Sequence, residues 1–373
     1  MKIAIISNYL THHLSSLCES FEEENNQVVF YACEKTPKYR LAGGFEDLSS
    51  LPFVKDVRLD DIDDIDFIQN EIASFDVVII GSGDNRLIKK RIEQNLLTFR
   101  FSEHLSKSKF FIINILRLIK WRFLLKNENI CSNFYLLCSS NWAKYDYKKI
   151  GCYKNKMLKW GYFPKISNLG GSKTTENKFF WAGRFVNWKH PEFIKIAYKI
   201  IRSTDKNNFS FEIFGSGNKF QTIKVKNMIK NTTIRFRGPV SKNALHDTIH
   251  EKDIFLFTSD KGEGWGAILN EAMLKGCICI ANKNAGSTLF LIKDGYNGFV
   301  YSTRKEFKKV LKKVLMLPKE TLDKISNKAR ESIKTIWCPE QAAKNLLSQT
   351  NSILTNNKLN KNIIGPASVD GLD

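Results

Sequence analysis

The sequence predicts an α/β protein of two domains, each built on a mostly parallel sheet. Three observations predict it. Short apolar runs of strand length alternate with helix-patterned segments, the order that gives parallel strands joined by crossover helices. The 373 residues are enough for two domains that each bury a core. One stretch holds a complete strand, glycine loop, helix and strand. Its strand is Asp253-Ile-Phe-Leu-Phe257, and its loop runs from Ser259 with Gly262 and Gly264. Its helix spans Ala267 to Lys275, with Ile268, Leu269, Ala272 and Met273 apolar. Gly276 stops that helix, and Cys277-Ile-Cys-Ile-Ala281 is the next strand.

The first domain takes residues 1–165. Ile3–Ile6 reads as a strand, Leu14–Glu23 as a helix and Val28–Ala32 as a strand. Asp64–Ala73 reads as a helix, Val77–Ile80 as a strand, Leu87–Asn95 as a helix and Leu97–Phe101 as a strand. Phe134–Cys138 and Trp142–Ile150 repeat the pattern. Ligands of such sheets sit beyond the carboxyl ends of the strands. Two loops fall there. Ser7-Asn-Tyr-Leu-Thr-His-His13 lacks the G-x-G-x-x-G of a dinucleotide site. His12 and His13 are candidates to touch an acceptor or a diphosphate; the alternative is a helix start with polar ends. Arg100-Phe-Ser-Glu-His104 offers Glu103 and His104 as candidates for proton transfer, the alternative being an ion pair with Arg100.

Lys109 to Lys126 is apolar with interspersed cations. Arg117, Lys120, Trp121 and Arg122 unfit it to span a bilayer and suit an interfacial amphipathic helix; the alternative is a helix packed on the sheet with a basic edge. No uncharged apolar run reaches the ~18 residues of a membrane span, and Met1-Lys-Ile-Ala-Ile-Ile6 is too short for a signal-peptide core. Lys and Arg exceed Asp and Glu by 58 to 38, a formal charge of +20. Anionic membrane, nucleic acid or a charged sugar-lipid would each match it, as would a bland lysine-rich surface. The eight Cys form no C-x-x-C pair, which reads as reduced and cytosolic.

Trp160-Gly-Tyr-Phe-Pro164 closes the first domain, and 165–178 reads as a polar linker. The second domain, 166–340, opens on the strand Phe179–Ala182. Gly183-Arg-Phe-Val-Asn-Trp-Lys189 follows, then a helix from Pro191. Phe211–Phe214 leads into Gly215-Ser-Gly217 and a helix Phe220–Ile229, which suits a backbone approach to a nucleotide. Thr233–Val240 is a strand and turn. His246 and His250 have metal-like spacing, but without a third ligand they read as solvated or packed. Arg304–Leu317, Lys319–Thr335 and Glu340–Leu354 read as helices, and 356–373 as a loose polar tail.

A helix N-terminus entered through a glycine loop suits a phosphate. Glu263 lies before that helix and Glu271 within it, about two turns apart at ~1.5 Å per residue. Such a pair matches the length of a nucleotide-sugar, and equally an ordinary solvated Glu pair. The flanking residues then carry a resemblance. Glu263-Gly-Trp-Gly-Ala-Ile-Leu-Asn-Glu271 resembles the E-x7-E motif of retaining glycosyltransferases of the family 4 type. Gly183-Arg-x4-Lys189 is similar to their G-R-x4-K segment, and Asp294-Gly-Tyr-Asn-Gly-Phe-Val300 closes the unit. The resemblance is close in the second half and holds in outline in the first.

It implies the GT-B fold, two Rossmann-like domains facing across a cleft, with a helix from 341 returning to the first domain. It implies a metal-free, cofactor-free, retaining transfer of a hexosyl group from a nucleotide-diphosphate sugar. The implied donor site comprises Arg184 and Lys189 on the diphosphate, and Gly215, Gly217, Arg237 and Val240 near the nucleotide. The N–H groups of Gly266, Ala267, Ile268 and Leu269 would meet phosphate, Glu263 sugar hydroxyls and Glu271 the ribose. Glu103 or His104 would face the transferred sugar. The acceptor would be a glycan or lipid-linked saccharide in bacterial surface polysaccharide synthesis, and the protein cytoplasmic or peripheral at the inner face of the plasma membrane. An epimerase or phosphorylase of the same fold is the runner-up. A non-catalytic nucleic-acid binder is a third reading; the set Glu263, Glu271, Arg184 and Lys189 argues against it, because backbone binding needs no such carboxylates.

Overall fold

The structure, a computed structural model, describes residues 1–42, 46–58, 65–165, 178–204, 209–250, 253–356 and 358–369. The linker predicted at 165–178 and the acidic run from Asp60 to Asp64 fall almost entirely outside them. The chain forms two compact units. One takes the stretch ending at Lys165 together with the stretch from Ile336 on, and the other takes the stretch ending at Thr335.

The first unit carries seven strands: β1 Lys2–Ser7, β2 Gln27–Ala32, β3 Val54–Asp56, β4 Val77–Ile80, β5 Thr98–Ser102, β6 Phe134–Cys138 and β7 Met157–Lys159. They pair in parallel in the order β3-β2-β1-β4-β5-β6-β7. The second unit carries six: β8 Lys178–Ala182, β9 Ser210–Phe214, β10 Arg235–Gly238, β11 Ile254–Phe257, β12 Ile278–Asn282 and β13 Phe299–Tyr301. They too are parallel, in the order β10-β9-β8-β11-β12-β13. All four residues of β4 and of β11 are buried. Helices cover both faces of such a sheet, so its strands read as continuous rather than alternating apolar runs.

The observed elements differ from expectation in three places. The segment expected as one helix over Leu87–Asn95 is a short 3-10 turn, Asn85–Ile88, followed by a helix Lys89–Glu93. The amphipathic segment is a helix Phe111–Leu124 followed by a second, Lys126–Ile130. The tail, expected loose, is packed. Asn345 Nδ2 donates to the Ile364 and Pro366 carbonyls at 2.9 and 2.8 Å, and Gln349 Nε2 to the Ala367 carbonyl at 2.9 Å. Ala367 N donates to the Lys159 carbonyl at 2.7 Å and Lys159 N to the Ser368 carbonyl at 3.0 Å, so the tail extends the sheet beside β7. These buried amides satisfy backbone groups that a polar composition alone would assign to water. The helix Pro339–Asn356 that carries them packs on the helix His12–Glu23.

Two buried arginines brace the first unit. Arg91 donates to the carbonyls of Ile72, Phe75 and Leu97, and burial lowers its pKa to about 10. Arg100 on β5 forms a two-point pair with Glu128, at 2.7 and 2.6 Å, and also donates to Asn85 at 2.7 Å. Tyr153 donates its hydroxyl to the same carboxylate. Burial pulls the Arg100 guanidinium down, but Glu128 more than offsets it, and the cation is held well above its ordinary range. Removing one member leaves a buried charge unpaired. Arg100→Met is therefore expected to destabilise this unit by about 3–5 kcal/mol, read as a fall in its denaturant midpoint. An unchanged midpoint contradicts the bracing role.

Candidate functional site

Each sheet reverses its strand order once, between β1 and β4 in the first unit and between β8 and β11 in the second. The loops that leave these strand pairs at their carboxyl ends diverge and leave a crevice, where ligands of doubly wound sheets bind. In the second unit these loops are 183–190 and 258–267. They carry Arg184, Lys189 and Glu263, with Glu271 in the helix that follows. Topology thus places these four candidates at or next to one switch point.

Lys189 and Glu263 form the centre. The Lys189 ammonium donates to Glu263 Oε2, and Ser259 Oγ donates to the same oxygen at 3.0 Å. Their side chains are only 11% and 17% exposed, so water screens the pair little. Burial alone would push the Glu263 carboxyl up. The Lys189 charge and hydrogen bond, the Ser259 hydroxyl and the Arg184 charge more than offset it, and the carboxyl lies below its ordinary range. Arg184 is exposed, with its guanidinium carbon 5.8 Å from the centre of the Trp188 ring. That stacking suits a cation presented to an anionic ligand.

Backbone fit explains two glycines. Gly215 has φ +138°, and a Cβ there would lie 1.8 Å from the Gly183 carbonyl oxygen. Its role is to let the β9 loop pass against the β8 loop. Gly266 has φ +90°, and a Cβ would lie 2.5 Å from the Phe257 ring. It turns the chain into the helix Ile268–Leu274, whose N-terminus points its dipole at the crevice. Of the N–H groups expected to meet phosphate, that of Leu269 is bonded to the Gly266 carbonyl at 3.0 Å, and its side chain is fully buried. Gly266, Ala267 and Ile268 stand at the start of that helix. A Cβ at Gly217 would meet Phe185 at 2.9 Å, again a packing constraint.

The Arg237 guanidinium donates to Glu212 at 2.9 and 2.5 Å, and Val240 lies exposed beyond β10. Glu212 belongs to a buried charge cluster with Lys178 and Asp253, at 3.4 and 3.5 Å from the ammonium. Burial raises the Asp253 pKa to about 6. Lys178 and Asp253 lie at the amino ends of β8 and β11, opposite the switch point, so the cluster is scaffold rather than site. His246, expected solvated or packed, has Nε2 3.5 Å from Glu271 Oε2. The His250 main-chain N–H donates to Asp253 Oδ2 at 2.8 Å, so Asp253 caps the turn there.

In the first unit the loops beyond β1, β5 and β7 gather a second set. The His12 and His13 rings lie 3.8 Å apart at the start of their helix, and His13 stacks 5.7 Å from Tyr162. The Tyr162 hydroxyl donates to Glu103 at 2.8 Å, and Lys107 pairs with the same carboxylate. The ion pair weighed between Glu103 and Arg100 does not form, because Arg100 is taken by Glu128. His104 turns inward. It is buried, with Nδ1 2.9 Å from Ser140 Oγ. Glu103 and His13 thus share one cluster through Tyr162, while the His104 ring meets Ser140.

Sequence reasoning missed four contributors: Ser259, Trp188, Tyr162 and His190. Hydroxyls and aromatics next to charged motifs carry no periodic signal, and only coordinates show what they touch.

Residues 163–332 match the profile of the family described as Glycosyl transferases group 1. An uncharacterized glycosyltransferase of Methanocaldococcus jannaschii is 29% identical over 143 residues. That match spans 36% of this chain and 36% of the relative's length. The crystal structure of Anabaena HepE in complex with UDP superposes with a TM-score of 0.67 at 14% identity, covering 93% of this chain and 100% of that one. A glycosyltransferase from Rickettsia africae gives 0.67 at 13% identity, over 95% and 99%. At that identity the likeness is one of fold, and the fold is GT-B.

Glu263 tests the electrostatics. Its folded pKa is below the ordinary 4.5, so its contribution to stability is complete above that value and is lost as pH falls through the lower folded one. Glu263→Gln is expected to destabilise the second unit at neutral pH and to lose that difference in acid. A difference independent of pH contradicts the pairing.

Proposed function

From the match of residues 163–332 to the profile of the group 1 glycosyl transferases, we propose that the protein is a retaining, metal-independent glycosyltransferase. It moves a hexosyl group from a nucleotide-diphosphate sugar to a glycan or lipid-linked saccharide hydroxyl, in bacterial surface polysaccharide synthesis. The observation that carries this reading is the buried Lys189–Glu263 pair at the switch point, with Arg184 beside it and Glu271 following.

The chemistry follows from the charges. The bond from the anomeric carbon to the diphosphate breaks, and negative charge grows on the leaving oxygen. Arg184, Lys189 and the N–H groups of Gly266 to Ile268 are fixed positive groups that oppose it. Glu263 orders the Lys189 ammonium and offers its own oxygens to sugar hydroxyls. Glu271 accepts from the ribose, steadied by His246. On the acceptor side Glu103, held by Tyr162 and Lys107, is the candidate to take the hydroxyl proton. The HepE structures with UDP, with UDP and glucose and with UDP-glucose support a nucleotide-sugar donor. An epimerase or a phosphorylase would use the same donor half but no saccharide acceptor.

The reading extends to a peripheral position on the inner leaflet. No helix among the described residues is long and apolar enough to cross a membrane. The helix Phe111–Leu124 has no buried residue, although Leu118 and Trp121 pack partly against the core. Its opposite face presents Ile112, Leu116, Ile119 and Phe123, exposed at 70%, 62%, 49% and 74%. Lys120 and Arg122 flank that stripe, and 105–127 contains no acidic residue. An apolar stripe edged by cations suits an anionic leaflet.

Two outcomes test the proposal. Glu271→Gln is expected to cut turnover of the nucleotide sugar by at least about tenfold while the protein stays folded; release of nucleoside diphosphate at the wild-type rate contradicts the donor site. The variant carrying Leu116→Asp and Phe123→Asp is expected to float with phosphatidylglycerol vesicles at least about tenfold less than wild type. Equal flotation contradicts the docking helix.

A further inference from the structure

His190 follows Lys189 and closes the first switch-point loop. Its backbone sits at φ 48° and ψ 55°, the left-handed region that an ordinary side chain enters at a cost. What holds it there is its ring. Nδ1 lies 2.8 Å from Glu192 Oε1, and Nε2 lies 2.8 Å from Asp260 Oδ2. Glu192 begins the helix after the first loop, whereas Asp260 belongs to the second loop. The ring therefore joins the two loops that carry the site.

Asp260 passes the constraint on. Its Oδ1 accepts from Gly262 N at 2.7 Å, its carbonyl accepts from Glu263 N at 3.0 Å, and its own N–H donates to the Trp188 carbonyl at 2.7 Å. One residue thus grips His190 and the turn at Gly262 through its carboxylate and the backbone of Glu263 through its carbonyl. The groups facing the imidazole are Asp260 and Glu192, with the Phe193 ring 5.9 Å away and Arg304 acting on Glu192. The facing carboxylates are both acceptors, which only a doubly protonated ring satisfies at both ends.

We propose that His190 is a positioning residue whose imidazolium clamps loop 183–190 to loop 258–263 and so sets where the Lys189 ammonium and the Glu263 carboxylate stand. The clamp belongs to the chain itself; its effect on a sugar donor rests on the function proposed above. The electrostatics agree. Hydrogen bonds donated to Asp260 and then to Glu192 raise the His190 pKa to about 9, against the opposing effect of burial. A raised folded pKa means that the stabilising contribution is complete below the ordinary 6.5 and is lost as pH rises through about 9.

His190→Gly separates positioning from simple stability. Glycine adopts φ +48° without strain, so the substitution offsets part of what the lost hydrogen bonds cost. Hydrogen exchange across 258–264, with no ligand present, is expected to speed by about tenfold or more, and the wild type is expected to approach the variant above about pH 9. With the sugar nucleotide that the wild type turns over, KM is expected to rise about tenfold with kcat within about threefold, since the ammonium holds the diphosphate before and during reaction. His190→Asn, which tolerates the same backbone and keeps one donor, is expected to fall between. Unchanged exchange in His190→Gly overturns the clamp. Faster exchange with unchanged KM overturns its role in positioning. A wild type that turns over no nucleotide sugar counts against the proposed function, and the exchange measurement alone then decides the clamp.

Discussion

The buried attraction between Lys189 and Glu263 is the constraint around which the second unit is arranged. An ammonium and a carboxylate that are both largely out of water cost several kcal/mol to desolvate, and only close, hydrogen-bonded geometry returns it. Everything nearby serves that geometry. β8 and β11 lie side by side, so the loops leaving them start adjacent. Gly215 lets the neighbouring loop pass the Gly183 carbonyl, and Gly266 turns the chain into the helix that bears Glu271. Asp260 and Ser259 lock the second loop from beneath. A pair held this way is stable enough to fold around and charged enough to bind an anion.

The two units solve the same topological problem with different chemistry. Both are doubly wound sheets whose order reverses once, and both collect polar residues beyond the carboxyl ends of their strands. The second collects fixed cations and helix N–H groups, suited to diphosphate. The first collects His13, Tyr162, Glu103 and Lys107, suited to exchanging a proton with a neutral hydroxyl. Under the proposed function, donor chemistry falls to the second unit and acceptor chemistry to the first, which also carries the apolar stripe of the helix Phe111–Leu124.

Much of this was legible in the chain. β4, β11 and β12 are continuous apolar runs, because a strand covered on both faces has no polar side to show. The glycine loop was legible from its place between strand and helix, while Glu263, Glu271, Arg184 and Lys189 were singled out by resemblance. What stayed hidden depends on contacts distant in sequence. Glu103 and His104 are neighbours in the chain, yet one faces Tyr162 and the other Ser140, a divergence set where β5 ends. Arg100 looked like a partner for Glu103, but Glu128 lies closer through the fold. The tail looked loose because its partners, Asn345 and Gln349, lie on a helix that had first to be placed. His190 gave no signal at all, since a left-handed histidine is defined by what it touches.

The central claim is that the second unit binds a nucleotide-diphosphate sugar through fixed cations, with no metal. It is tested most directly by thermal shifts of the whole protein against UDP-, GDP-, ADP- and CMP-sugars in chelator. A ligand that prefers the folded state raises its stability, by about 2.7 kcal/mol at a hundredfold excess over Kd. The account predicts a rise with one nucleotide class that Lys189→Met abolishes. No rise with any of them, or an equal rise in Lys189→Met, would contradict it.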